Sequence, residues 1–347
     1  MVSENLLNVV MLVEVGLLAI AVVVFFAHGV WLFFNEKRLS RQTKIARESL
    51  AHLVTRGSVN VEQLAALAAL PPVVKVIAFL EISHNLSGAG KERLRFVASR
   101  VGVIDRARFL CQSRRWQRRL RGARILSQLD VADSLVQKLL ADPHPAVRAQ
   151  AAEWASSQPS EEVIAAMLML LADPATQARF AVQNALLRMG SVIVGQLKTF
   201  LETHSGRAAE AGLRVAESIA DVSFEPAALR FAQSDDTKTR VAAASLLGAI
   251  ATESAAARLM AMLADNEAPV RAAATEALGR MQHWQAASLI ADRLRDRTWR
   301  VRRAAGLALR AIGAPGVLFL RRALKGDDRF AADMSQQVLD LPEAAAG

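Results

Sequence analysis

The 347-residue sequence contains no tyrosine, a single cysteine, and aromatic residues at only 5% of its length. One thiol, Cys111, excludes an intrachain disulfide framework and a structural zinc site built on several thiolates. That usage suits a reducing compartment. β-Branched runs are scarce beyond the N-terminus, whereas Ala and Leu dominate and 52% of residues are hydrophobic. This balance favours helices over sheets. No G-x-S-x-G nucleophile elbow and no H-x-x-x-H pair occurs. Ser87-Gly88-Ala89-Gly90-Lys91 imitates a phosphate loop, but Asn85 stands where that motif needs glycine and Glu92 follows the lysine. We therefore expect no catalytic residue, no metal and no cofactor.

Charge of one sign is also missing where it matters. No Lys or Arg precedes the apolar run Leu6–Phe34, and Glu4 lies at its start. A run of this length suffices to cross a bilayer, which needs about 20 apolar residues. It is too long, and its start insufficiently basic, for a cleaved signal peptide. Lys37, Arg38, Arg41, Lys44 and Arg47 follow at once, so the positive-inside rule puts the N-terminus outside and the rest in the cytoplasm. Trp31 falls near the inner headgroup level. Glu14, Ala21 and His28 recur at seven-residue steps and share one helical face. They mark either an intramembrane contact with a partner helix or, for Glu14, a position at the outer membrane surface.

From Glu36 to about Ser58 the pattern is amphipathic and continues the helix. Val61–Leu70 and Val73–Leu86 are expected helices parted by Pro71-Pro72, and Ser87–Gly90 is an expected turn. Residues 91–124 hold twelve Lys and Arg against Glu92 and Asp105, a surplus equal to the whole chain's formal charge of +10. Arg114, Arg115, Arg118, Arg119 and Arg121 form its densest part. Three readings stay open: a patch for anionic lipid or an acidic partner, a nucleic-acid surface, or a solvated helical face.

Internal repetition organises the remainder. Asp142-Pro-His-Pro-Ala-Val147-Arg148, Asp265-Asn-Glu-Ala-Pro-Val270-Arg271 and Asp296-Arg-Thr-Trp-Arg-Val301-Arg302 each place an acid at a turn, Val-Arg five and six residues later, and an Ala-rich helix after that. Asp173 and Arg179 keep the frame without the valine. Weaker copies start near Ser113, Glu202, Ser234 and Asp327, giving a period of about 31 residues. Each unit holds two helices, with Pro143 and Pro174 expected at the first position of the second helix. Neither helix of a pair can bury its apolar face alone, so stacking is obligatory. The repeated Asp and Arg form either a structural ladder beside the turns or a binding ladder. Trp116 and Trp299 share one repeat position and are expected to pack, with exposed anchors for a partner as the alternative.

The L-x-D-x-x-x-x-V-R-x-x-A pattern over roughly residues 100–335 resembles the HEAT repeat, in the short phycobilisome-lyase-type form of bacteria. Ser113-Arg-Arg-Trp116-Gln-Arg-Arg-Leu-Arg behind an N-terminal apolar helix further resembles membrane-tethered bacterial HEAT proteins. The resemblance implies an all-α solenoid of helix pairs behind a single transmembrane helix. It implies residues 1–35 as anchor, 36–90 as stem and cap, 91–335 as repeats and 336–347 as tail. Iron-dependent hydroxylases of this fold carry His-Glu ligand pairs, whereas no histidine here precedes a glutamate. The expected role is a non-enzymatic scaffold at a bacterial inner membrane that binds a protein partner, itself an inner-membrane complex. A chromophore-lyase-like or other enzyme on this scaffold and a basic-patch binder of anionic lipid or nucleic acid remain alternatives, the membrane tether weighing against nucleic acid.

Overall fold

A computed structural model describes residues 2–56 and 61–342; Ser58, where the stem was expected to end, and the last residues of the expected tail lie outside them. The described residues are all helical or connecting, without a strand. They fall into two compact units, residues 1–133 and 134–347.

In the first unit, α1 (Val2–Arg56) is one unbroken helix. Within Gly16–Thr55 it is long and apolar enough to cross a membrane, with a window of mean hydropathy 2.5 and no buried residue in it. Glu14 and His28 are exposed, and the His28 ring stacks on Trp31 with centroids 5.9 Å apart. Its last third changes character: Ala46, Leu50, Leu53 and Val54 are buried against α3 (Pro72–Ser83) and α4 (Gly88–Arg100). Arg93 fastens the end of α1 by donating to the Val54 carbonyl at 2.9 Å. The short α2 (Val61–Ala69) precedes Pro72, which occupies the first turn of α3, where its missing N–H costs nothing. The turn expected over Ser87–Gly90 is shorter than that. Only Ser87 lies outside α4, because Gly88 takes φ +51° and lets the chain enter the helix at once.

Helices α5 (Val103–Cys111) and α6 (Trp116–Gln128) form the first helix pair. They touch at Gly122, where an added Cβ would come within 2.6 Å of the Ala107 carbonyl and 2.7 Å of Cys111 Sγ. Cys111 is therefore a packing residue, and burial pushes its thiol up to about 12.

The second unit repeats this pairing: α7 (Leu135–Leu140) with α8 (Pro145–Ala155), α9 (Glu161–Met169) with α10 (Thr176–Met189), α11 (Val194–Thr203) with α12 (Gly206–Ile219), α13 (Glu225–Phe231) with α14 (Thr237–Ile250), α15 (Glu253–Met262) with α16 (Ala268–Arg280), α17 (Ala287–Asp292) with α18 (Trp299–Ala311), and α19 (Ala314–Ala323) with α20 (Arg329–Leu339). The second helices pack in series, α8 on α10 through to α18 on α20. Small residues set that spacing. A Cβ at Gly248 would lie 2.6 Å from that of Ala277, and one at Gly279 would lie 2.7 Å from Ala308, one repeat further on. The repeated valines Val147, Val270 and Val301 are fully buried.

Two details depart from expectation. Pro143 and Pro174 precede the helix caps His144 and Ala175, and Pro145 takes the first helical position instead. Helix α20 runs past residue 336 to Leu339 with Val338 buried, so the segment read as a tail begins inside the fold.

Candidate functional site: an arginine ladder and a basic surface

The turns between paired helices share one hydrogen-bonding scheme. Arg148 Nη1 donates to the carbonyls of Asp142 at 2.7 Å and Pro143 at 3.0 Å, six and five residues earlier. Arg179, Arg240, Arg271 and Arg302 do the same to residues 173 and 174, 234 and 235, 265 and 266, and 296 and 297. Each arginine thus satisfies two backbone carbonyls of the turn that follows the first helix, just beyond its last residue.

The other edge of the guanidinium reaches into the next repeat. Arg148 forks onto Asp173 at 2.6 and 2.8 Å, Arg240 onto Asp265 at 2.9 and 3.1 Å, and Arg271 onto Asp296 at 2.7 and 2.9 Å. Every such aspartate also accepts the backbone N–H two residues on: Ala175 at 2.8 Å, Glu267 at 2.9 Å and Thr298 at 2.9 Å. Asp142 likewise accepts from the His144 amide at 2.9 Å. One residue type at one position therefore holds its own turn and its neighbour's arginine. The sequence had associated each Asp with the Arg six residues later; the structure joins that arginine's side chain to the following repeat's carboxylate. Arg240 was missed as a rung because Ser234 replaces the acid of its own turn, although its position six residues beyond that turn was a sufficient signal.

The rungs are well buried, with side-chain exposures of 13% and 3% for Arg148 and Asp173. Burial resists ionisation of Asp173 and Asp296, but the arginine hydrogen bonds, the turn amide and the nearby guanidinium charges prevail and hold both carboxyls below their ordinary value. Arg148 and Arg271 are raised, chiefly by their hydrogen bonds to Asp173 and Asp296.

The basic block of the first unit divides in the same terms. Arg119 Nη1 donates to the carbonyls of Ser113 at 3.0 Å and Arg114 at 2.9 Å, which is the ladder arginine's turn geometry. Arg114, Arg115, Arg118 and Arg121 are exposed. Arg121 and Arg124 join Arg106 along the rim of a cavity of about 320 Å3 floored by Pro72, Val76, Ile77, Leu80 and Leu110. Arg106 and Arg100 lie over the rings of Phe109 and Phe96 at 5.2 and 5.3 Å. Trp299, expected to pack, is 57% exposed, since it occupies the first helical position, with Arg303 5.9 Å from its ring. Among the described residues no three His, Cys, Asp or Glu gather in a metal-holding group.

Comparisons with known proteins agree with this architecture. The family model described as HEAT repeats matches residues 197–279 and 262–339. No curated protein matches the sequence. Among solved structures, Kap121p bound to Nup53p is similar with a TM-score of 0.62 at 13% identity, over 90% of this chain and 40% of that one. Importin beta is similar with a TM-score of 0.52 at 12% identity, over 86% of this chain and 49% of its own. The CpcE–CpcF phycocyanin lyase complex of Nostoc aligns at 18% identity over 68% of this chain and 93% of that one, with a TM-score of 0.34. The chain thus spans about half or less of the length of the importin-type structures it resembles. Residues 197–339 of this all-α chain are HEAT repeats, stacked in the solenoid manner of the importins, and the same turn geometry recurs upstream at Arg148 and Arg119.

Proposed function

We propose that the protein is a non-enzymatic scaffold, held in a bacterial inner membrane by α1 with its N-terminus outside, whose cytoplasmic repeats bind a protein partner belonging to an inner-membrane complex. The observation that carries this reading is the continuity of α1. An apolar stretch with no buried residue runs without a break into a stem whose Leu50 and Leu53 are packed in the fold. Such a helix exposes its apolar side chains to solvent unless lipid or another protein covers them. Lys37, Arg38, Arg41, Lys44 and Arg47 are all exposed just beyond the apolar stretch, where inner-leaflet phosphates would meet them. Solenoid folds present long surfaces for protein ligands, and similar structures were solved as complexes with Nup53p and Nup1.

A second reading concerns the basic rim of the first unit. Arg106, Arg121 and Arg124 around an apolar floor suit an anionic amphiphile, so anionic lipid is a further partner of that unit. The reading assigns no catalytic residue and no cofactor.

Crosslinking and affinity capture from membranes, comparing the full chain with one lacking residues 1–35, test the scaffold. A partner recovered with the full chain and lost without the anchor is the expected result; no specific partner with either chain overturns it. A C-terminal tag that reports from the periplasm overturns the orientation.

A further inference from the structure

The ladder is interrupted between Asp173 and Arg240: Arg179 lacks its acid, and the next turn carries Ala209 at the arginine position. The helix caps place the acid position two residues before each N-cap, as in Asp173 before Ala175 and Asp296 before Thr298. Before α12 the cap is Ser205, so the acid position is Thr203. Its hydroxyl faces the carbonyls of Thr199 at 3.0 Å and Phe200 at 3.3 Å, and His204 beside it stacks on the Phe200 ring. Arg179 therefore keeps the first half of the scheme, its bonds to the carbonyls of residues 173 and 174, and lacks the second. Its remaining side-chain hydrogen bond among the described residues is from Nη2 to Thr176 Oγ1 at 3.0 Å, which leaves Nε without one.

Arg179 also borders a groove of about 420 Å3 that it shares with Phe180, Arg207, Glu210, Arg214 and Lys238. Four cations face one carboxylate, and Glu210 is already engaged by Arg214 at 3.0 Å. Phe180 is 62% exposed and forms an apolar wall beside the open guanidinium edge. We propose that this groove receives a carboxylate from an acidic segment of the partner protein, which docks on Arg179 as Asp173, Asp265 and Asp296 dock on their arginines. The planar fork matches a carboxylate in two parallel bonds, and the three intact rungs display that match in this same framework. An apolar wall next to the fork suits the stem of a Glu or a neighbouring peptide side chain better than a hydrated free ion. The proposal rests on the scaffold reading for the source of the carboxylate.

The test is fluorescence polarisation of a labelled, end-blocked hexaglutamate peptide against the purified full chain in non-ionic detergent at low salt. Exchanging Arg207→Gln and Lys238→Gln together, side chains with no hydrogen bond among the described residues, is expected to weaken binding about tenfold. Arg179→Gln is expected to weaken it at least as much, whereas Arg118→Gln in the other unit leaves it unchanged and hexaglutamine does not bind. Unaltered affinity in the Arg207/Lys238 double variant overturns the proposal. An equal loss with Arg118→Gln also overturns it, by reducing the effect to general attraction. Displacement of the peptide by inorganic phosphate or phosphatidylglycerol vesicles at lower charge concentration than free hexaglutamate reassigns the groove to phosphate and overturns the carboxylate. Peptide binding that persists while no partner is captured from membranes overturns the scaffold reading and not this one; the reverse result removes the groove alone.

Discussion

Arginine is put to opposite uses in the two units. In residues 134–347 the repeated arginines are sunk beside the turns, each bound to two carbonyls and, in three cases, forked onto the next repeat's aspartate. In residues 91–124 arginines are still more frequent, yet Arg114, Arg115, Arg118 and Arg121 are exposed and only Arg119 has the turn geometry. Composition would rank the first unit as the more electrostatically organised, and the opposite holds. The lesson is that distance from a turn decides what an arginine does, because only at six residues past it does the guanidinium reach both orphaned carbonyls and a neighbouring carboxylate. Pairing in the first unit's block is sparser and more exposed: Arg108 Nε donates to Asp133 at 2.7 Å, and Arg95 lies 3.4 Å from Asp130.

Removing a ladder acid should produce the largest effect. Asp173→Ala or Asp296→Ala strands a mostly buried guanidinium and should cost about 3–5 kcal/mol in chemical denaturation. Asp173→Ala losing less than 1 kcal/mol would erase the distinction between the units. Close helix contacts should follow, and here both units behave alike. Gly279→Val pushes on Ala308, and Gly122→Val pushes on Ala107 and Cys111, each costing about 1–3 kcal/mol.

Acid should then separate the units again. Asp173 and Asp296 titrate below the usual carboxylate range when folded, so the unfolded chain takes up protons first as pH falls. Their contribution is complete above about pH 5 and is lost as pH drops through about 4 and below. Asp296→Asn should flatten the acid limb of a stability–pH profile. Cys111 should ignore a thiol reagent at pH 8 until denaturant opens the first unit, since its thiol is raised to about 12. Rapid labelling of the folded chain would show that α5 and α6 part easily. The smallest effect belongs to the exposed arginines: Arg118→Gln and Arg121→Gln should leave stability within about 0.5 kcal/mol. Any change they cause should appear in binding to anionic vesicles.

Much of this was legible in residues alone. The Asp, Val-Arg and Ala spacing predicted paired helices at a period near 31, and the turns at Asp142, Asp173, Asp265 and Asp296 lie where that spacing put them. The registers at Glu202 and Asp327 were each one residue off, at Thr203 and Gly326, because neither carries the acid in the true turn position. Proline was over-read, since Pro143 and Pro174 suit the extended chain before a cap as well as a first helical turn. Trp299 was expected to pack, but it opens α18 and is 57% exposed, whereas Trp116, at the same position in α6, is half-buried.

Sequence by itself determined the helix pairs, the apolar reach of α1 and the identity of the ladder residues, because each follows from local periodicity and turn chemistry along one chain. Only the tertiary structure decided which aspartate each arginine grips and that Arg179 is left with an open edge. Those outcomes depend on the side-by-side placement of successive turns, which brings each of these arginines within 3 Å of an aspartate 25 residues further along the chain.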